Sequence, residues 1–91
     1  MSATIKYTFY KNYMDKYYLT HCEIDGEEPN TLLSITLPSY IITEDNIAHT
    51  YGIYASAFYG NQWAEEIIIP GTVTEIGKAA FARSTIRTIK L

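Results

Sequence analysis

Residues 64–91 read AEEIIIPGTVTEIGKAAFARSTIRTIKL, and the pattern in this stretch occurs more than once in the chain. Three six-residue segments, 32–37, 64–69 and 86–91, carry aliphatic or small residues at their first, fourth and sixth positions. A proline directly follows each of the first two segments. Because proline has a restricted φ and no N–H donor, it favours the end of a strand. The three segments are therefore predicted to be equivalent short strands.

The spacing of equivalent residues defines the period of this pattern. Ile53 and Ile76 are each followed by an Ala-Phe pair, so the interval from Ile53 to Ile76 equals that from Phe58 to Phe81. The second and third predicted strands, which begin at positions 64 and 86, are separated by nearly the same interval. The interval from the first strand to the second is longer, and the excess lies within residues 40–51. A period of about 22–23 residues with one insertion is typical of a leucine-rich-repeat solenoid.

Stacked coils of this kind turn their equivalent apolar residues inward. Because strand side chains alternate, Ile67 and Ile69 are expected on the inner face and Ile68 on the exposed face of a parallel sheet. Gly71 and Gly77 are expected to adopt turn conformations that other residues resist. The predicted repeat core consists of Ile35, Leu37, Ile53, Phe58, Ile67, Ile69, Val73, Ile76, Phe81, Ile86, Ile89 and Leu91.

Residues 67–81 and the strand after them resemble the BspA-type leucine-rich repeat, in which an aliphatic strand precedes Pro, a small residue, Val-Thr, Ile-Gly, two spacers and Ala-Phe. The match is nearly complete over 64–91 and looser over 32–63, where Tyr54 replaces the expected glycine. The resemblance implies a right-handed solenoid with short strands and irregular returns. It also implies a module of a microbial cell-surface or secreted protein that binds other proteins, without catalytic residues.

Residues 1–31 precede the repeats and are predicted to form a β-hairpin cap. Ile5, Tyr7 and Phe9 alternate with polar residues, which is typical of a half-buried strand, and residues 17–24 form a second β-prone run. A hairpin across the first coil would cover its apolar end. The chain is thus expected to divide into this cap and the repeats of residues 32–91.

Two polar stretches are predicted to be loops. Residues 25–30, with the sequence Asp-Gly-Glu-Glu-Pro-Asn, form a turn-and-loop cluster. The insertion at about 42–50 is mostly polar and is expected to be a surface loop, with a brief helical turn from Thr43 as one conformation.

The sequence stops at Leu91, the last aliphatic residue of the third predicted strand. Without a following coil, Ile86, Ile89 and Leu91 are expected to form an exposed apolar patch beside a strand edge. Two interpretations follow. The chain is the N-terminal piece of a longer array, or the open coils of two chains self-associate.

Composition and charge exclude several classes of function. The chain has 91 residues, which suits one domain, and its seven Lys and Arg residues are scattered singly in a net charge of -3, so no nucleic-acid partner is expected. The longest apolar runs are too short for a membrane span. The first residues carry no secretory leader, and the sequence does not decide the compartment.

No group of residues predicts catalysis, a metal site or a cofactor. Cys22 is the only cysteine and lies in an alternating run, which favours a small buried strand residue. His21, Cys22 and Glu23 are consecutive, so their side chains would alternate between faces and could not share a metal ion. The adjacent pairs Glu27-Glu28 and Glu65-Glu66 do not suggest opposed catalytic carboxylates. We therefore expect a protein that is not an enzyme.

Aromatic residues are abundant, with nine tyrosines and one tryptophan. Such residues favour interfaces, although they also pack well in small β-folds. The candidate binding surface consists of Tyr51, Tyr54, Tyr59 and Trp63 around the first coil.

The first functional hypothesis is a protein–protein interaction or adhesion module that uses the repeat sheet or these aromatic residues. A second is a glycan-binding surface centred on Trp63. A third is a structural cap and spacer at the start of a longer repeat array. The step from fold to function is an analogy in each case, since solenoids serve many partners.

Overall fold

The computed structural model describes residues 4–26 and 30–91, in which eight β-strands and no helix occur. The prediction of a mainly β protein is confirmed. The first three residues and Glu27-Glu28 of the predicted loop lie outside the described residues. The strands are β1 (Thr4–Lys11), β2 (Tyr17–Asp25), β3 (Leu33–Thr36), β4 (Ile41–Ile42), β5 (Ala48–His49), β6 (Tyr51–Ile53), β7 (Ala64–Ile68) and β8 (Thr88–Lys90).

The first two strands form the antiparallel hairpin that the sequence predicts. They pair from Thr4 opposite Asp25 to Lys11 opposite Tyr17, with a bulge after Thr8. Exposed and half-buried side chains alternate along most of β1. This alternation follows because successive side chains of a strand point to opposite faces of the sheet.

The three predicted repeat strands lie side by side in a parallel sheet of order β3-β7-β8. Ile35, Ile67 and Ile89 are in register with one another. The register predicted from the spacing of equivalent residues is therefore confirmed, although the first pair of strands slips by one residue after Leu33. The next row of the sheet contains Thr36, Ile68 and Lys90.

A second parallel ladder connects the hairpin to the repeats. β2 pairs with β6, which places Leu19 beside Ile53, and Ile53 in turn bridges to Ile76. Between the two ladders, the backbone amide of Phe58 donates to the carbonyl of Ala80 at 2.7 Å. Equivalent segments of the two repeats are thus hydrogen-bonded to each other, both within strands and between them.

The connecting segments of the two repeats share an unusual backbone conformation. Ser56 and Ala79 have φ of 62° and 58°, and Gly60 and Arg83 have φ of 74° and 54°. The members of each pair occupy equivalent positions, one repeat period apart. The expectation that Gly71 and Gly77 supply the turn conformations is wrong, because neither has a positive φ. Left-handed residues lie elsewhere in the turns.

Residues of both ladders form one hydrophobic core. Six predicted core residues are buried, namely Ile35, Leu37, Ile53, Phe58, Ile67 and Ile69. Three more are half-buried against them, namely Val73, Phe81 and Ile86. Ile76, Ile89 and Leu91 are 46 %, 46 % and 90 % exposed, so their assignment to the core is corrected. Ile76 lies in the second repeat, whereas Ile89 lies in β8 and Leu91 directly follows it. No part of the chain that the structure describes covers their outer side.

The insertion within residues 40–51 is exposed but is not a plain loop. β4 and β5 pair in an antiparallel hairpin, with Ile41 opposite His49. The turn between them is closed by a hydrogen bond from the Asn46 amide to the Thr43 carbonyl, and Asn46 has a φ of 64°. The helical turn expected near Thr43 is therefore replaced by a β-turn between two short strands.

Candidate functional site

The four aromatic residues predicted to share one surface do not lie together. Tyr51 is only 1 % exposed, and its hydroxyl donates to the carbonyl of Pro38. Its ring makes an edge contact with Phe9 of the hairpin at a centroid distance of 5.1 Å. Burial raises the pKa of Tyr51 to about 12. The assignment of Tyr51 to a binding surface is therefore wrong, because its side chain packs where the hairpin meets the first repeat.

The other three aromatic residues belong to two separate regions. Tyr54 is half-exposed and packs edge-on against Tyr18 of β2, with 5.7 Å between ring centroids. Tyr59 and the half-buried Trp63 instead line a depression of about 220 Å³ beside His21. A surface built on Trp63 would thus include Tyr59 but neither Tyr51 nor Tyr54.

A larger cleft, of about 410 Å³, lies where β2 and β6 begin. It is lined by residues 15–18 of the hairpin, residues 49–51 before and within β6, and residues 74–75 of the second repeat. The parallel pairing of β2 with β6 places the first two segments side by side. The amide of Thr74 donates to the carbonyl of Tyr51 at 3.0 Å, which adds the third segment.

Gly52 leaves room for two side chains of this cleft to meet. A Cβ at this position would lie 2.7 Å from Cγ of Glu75 and 3.3 Å from Cδ1 of Tyr18. The nearby Glu75 carboxylate is the main cause that raises the pKa of the Tyr18 hydroxyl. The carboxylate and the phenol therefore form a polar pair above the backbone of β6.

A second aromatic pair lines the same cleft. The rings of Tyr17 and His49 are 4.7 Å apart and inclined by 40°. Nε2 of His49 is buried and has no hydrogen-bond partner among residues 4–26 and 30–91. Asp15 and Lys16 contribute one charge of each sign. The cleft thus combines flat aromatic surfaces with carboxylate, ammonium and hydroxyl groups.

Sequence reasoning missed this cleft. Its residues come from three segments that are far apart in the chain, and none of them forms a motif by itself. The sequence did contain one indication of the cleft. Tyr51 and Thr74 are one repeat period apart, so they occupy equivalent positions in the two repeats. The position of the hairpin beside them could not be read from that period.

The thiol of Cys22 lies outside this cleft. Cys22 is buried, as expected, and burial raises the pKa of its thiol to about 12. A thiol with this pKa stays protonated at neutral pH and is a poor nucleophile. In the described portion of the chain, no three His, Cys, Asp or Glu side chains are grouped so that they could hold a metal ion. No helix with the length and hydropathy of a membrane span occurs there either.

The exposed face of the repeat sheet is polar. The hydroxyl of Ser34 donates to the Glu66 carboxylate, which also pairs with Lys90 at 3.4 Å. These contacts, the Ser34 hydrogen bond first, lower the pKa of Glu66. Ion pairs and hydrogen bonds exposed in this way contribute little to stability. They reinforce the strand register without fixing it.

The outer side of the second repeat carries an apolar groove of about 390 Å³. It is lined by Ile69, Val73, Ile76 and Leu91, among others, and Glu75 is its one charged lining residue. Strand β8 lies at the edge of its sheet. The basic residues nearest in sequence belong to the sheet face, where Lys90 pairs with Glu66 and Arg87 lines a depression with Glu65.

Comparison of the chain with models of protein families, with curated proteins and with solved structures finds no match. Its function is therefore argued from the chemistry of these surfaces alone.

Proposed function

We propose that this chain is a non-enzymatic protein–protein interaction module, built as a short leucine-rich-repeat solenoid of the BspA type. The backbone hydrogen bonds between equivalent levels of the two repeats support the solenoid. So does the parallel stacking of Phe58 on Phe81, whose centroids are 5.2 Å apart with 18° between the rings. Equivalent residues in stacked repeats are the defining feature of such an architecture.

The observation that carries the function is the exposed outer side of the second repeat. Ile76, Ile89 and Leu91 are at least 46 % exposed there, next to the edge strand β8. Apolar side chains beside an unpaired strand edge favour the addition of a further strand by main-chain hydrogen bonds. The apolar lining of the groove favours a partner strand that presents apolar side chains to it.

A second copy of the chain is the alternative occupant of this face. Two copies that paired through β8 would each supply the same apolar groove and the same strand edge. Self-association depends on the concentration of the chain itself, whereas a different partner leaves the isolated chain a monomer.

The test is capture of proteins by the immobilised chain, compared between the wild type and two variants. Ile89→Glu places a charge on the proposed face, whereas Ile42→Glu is a matched control on β4, where the side chain is 71 % exposed. Partners should bind the wild type and Ile42→Glu equally but Ile89→Glu at least about tenfold more weakly. Light scattering across concentrations of the chain would separate a partner from a second copy of the chain. Equal capture by all three proteins would refute the proposed surface.

A glycan-binding role for Trp63 has less support, because the structure separates Trp63 from two of the three tyrosines expected around it. The third hypothesis, a structural spacer, predicts that both variants retain every interaction of the wild type.

A further inference from the structure

We infer that the cleft formed by residues 15–18, 49–51 and 74–75 is a binding site for a neutral carbohydrate. This site goes beyond the proposed interaction function and lies on other residues than the apolar groove proposed for a partner, except where the two adjoin at Thr74 and Glu75. The volume of about 410 Å³ falls within the range of about 300–1,000 Å³ that is usual for small-molecule sites.

The construction of the cleft favours a ligand that spans several chain levels. The hairpin, the first repeat and the second repeat each contribute one segment, and β2 is hydrogen-bonded to β6. Adjacent strands are about 4.8 Å apart, so three levels extend over about 10 Å. A ligand in this cleft would therefore contact all three levels at once, and a sugar of one or two rings is of suitable size.

The charges of the cleft argue against a strongly ionic ligand. Asp15 and Glu75 would repel a phosphate or another anion, while Lys16 would repel an ammonium group. The Glu75 carboxylate and the Tyr18 ring lie side by side above Gly52. A carboxylate in this position can accept hydrogen bonds from neutral hydroxyl groups.

The polar and aromatic groups of the cleft match the hydroxyl groups and the C–H faces of a sugar ring. Hydroxyl groups of a sugar can donate to the carboxylates and accept from Lys16 and from the threonine hydroxyls. Its C–H faces can lie against the aromatic rings, of which Tyr17 and His49 form one pair in the cleft. A purely apolar ligand would leave these polar groups without water or partners, which is costly.

The test is a titration of the isotopically labelled chain, followed through its backbone amide signals. The probes are glucose, galactose, mannose, N-acetylglucosamine and maltose, with choline and inorganic phosphate as a cation and an anion. A weakly optimised ligand of this size should bind with a dissociation constant of roughly 1 mM. Saturable shifts confined to the three cleft segments, produced by at least one sugar, are the expected result.

Two variants assign the binding to the cleft. Glu75→Ala removes a hydrogen-bond acceptor and should weaken binding about tenfold. Glu44→Ala is the matched control, because Glu44 is also exposed but lies in the turn between β4 and β5. The affinity of the Glu44→Ala variant for the sugar should equal that of the wild type. Thermal unfolding of both variants would confirm that each is folded.

The inference is overturned if no sugar produces saturable shifts at concentrations about a hundredfold above the expected constant. It is equally overturned if only choline or phosphate binds, or if the shifts occur around Tyr59 and Trp63. Loss of sugar binding in both variants alike would also contradict it. The interaction face can be tested independently, since Ile89→Glu should leave sugar binding intact.

Discussion

Gly77 lies where the backbone of the second repeat passes closest to that of the first. Its amide donates to the carbonyl of Ile53 at 2.7 Å. A Cβ at this position would lie 2.4 Å from the amide nitrogen of Ala55 and 2.8 Å from its Cα. These neighbours are backbone atoms, which cannot move aside without disturbing the hydrogen bonds between the repeats. The glycine is thus required for close approach and not for an unusual φ.

The equivalent position in the first repeat is Tyr54, and its side chain is accommodated differently. The amide of Tyr54 donates to the carbonyl of Leu19 in the hairpin, and its half-exposed ring contacts Tyr18. The first repeat therefore has tyrosine in place of glycine at the position where its neighbour is a strand of the hairpin and not another repeat.

We predict that Gly77→Ala lowers the free energy of unfolding by about 3 kcal/mol, at the upper end of the usual cost of overpacking. The matched control is Gly71→Ala. No atom lies within 4 Å of a Cβ at that position, and φ there is not positive. This control should change stability by less than about 1 kcal/mol, with a gain favoured by the reduced entropy of the unfolded chain. Urea denaturation of the two variants checks both values, and equal stabilities would contradict the close approach.

At the scale of elements, the two connecting segments adopt the same backbone conformation at positions where their residues differ. The left-handed residues at one position are Ser56 and Ala79, and at the other Gly60 and Arg83. Left-handed φ costs a residue with a Cβ roughly 1–2 kcal/mol relative to its usual conformations. The conformation persists in both repeats because hydrogen bonds to the adjacent level hold it, such as that from the Gly60 amide to the Ala82 carbonyl at 3.0 Å.

Arg83→Gly should therefore stabilise the protein by about 1 kcal/mol, because Gly60 already occupies the equivalent position without strain. Arg87→Gly is the control, since Arg87 is exposed and has no positive φ. That change should destabilise the protein by about 0.5–1 kcal/mol through the greater freedom of the unfolded chain. The thermal midpoint of each variant measures the difference. Destabilisation by both changes would show that the left-handed conformation is not strained.

The same elements show what the sequence could and could not predict. The pairing of β7 with β8 followed from the spacing of aliphatic residues, because a one-residue slip would reverse which side chains face inward. The pairing of β4 with β5 was missed because each strand has two residues, too few to establish an alternation. The cleft was missed because its segments meet only when the hairpin pairs with β6. Tyr51 was placed on the surface because the composition of a segment does not reveal which of its tyrosines faces the core.

For the molecule as a whole, the hairpin and the repeats share one core. Tyr7 of β1, Cys22 of β2 and Tyr51 of β6 lie close enough for their charges to interact. Burial is the main cause that raises the pKa of each group to about 12, from ordinary values of 10.0 for tyrosine and 9.0 for cysteine. The hairpin should therefore unfold together with the repeats and not as a separate unit.

Alkaline pH tests this shared core, and the sign of the effect follows from proton binding. Between about pH 9 and 12 the unfolded chain releases protons that the folded chain retains, so the free energy of unfolding decreases as the pH rises. The decrease should be at most about 1.4 kcal/mol per pH unit for each of the buried groups Cys22 and Tyr51, and less for the half-buried Tyr7. Below pH 9 this contribution to stability is fully present.

Cys22→Ala should reduce the slope between pH 9 and 10, whereas Tyr13→Phe, at a residue that is 93 % exposed, should leave it unchanged. Urea denaturation at several pH values, followed by both Trp63 fluorescence and circular dichroism, measures the slope. Coincident transitions are expected. A circular-dichroism transition that begins at a lower urea concentration than the Trp63 transition would contradict a single core.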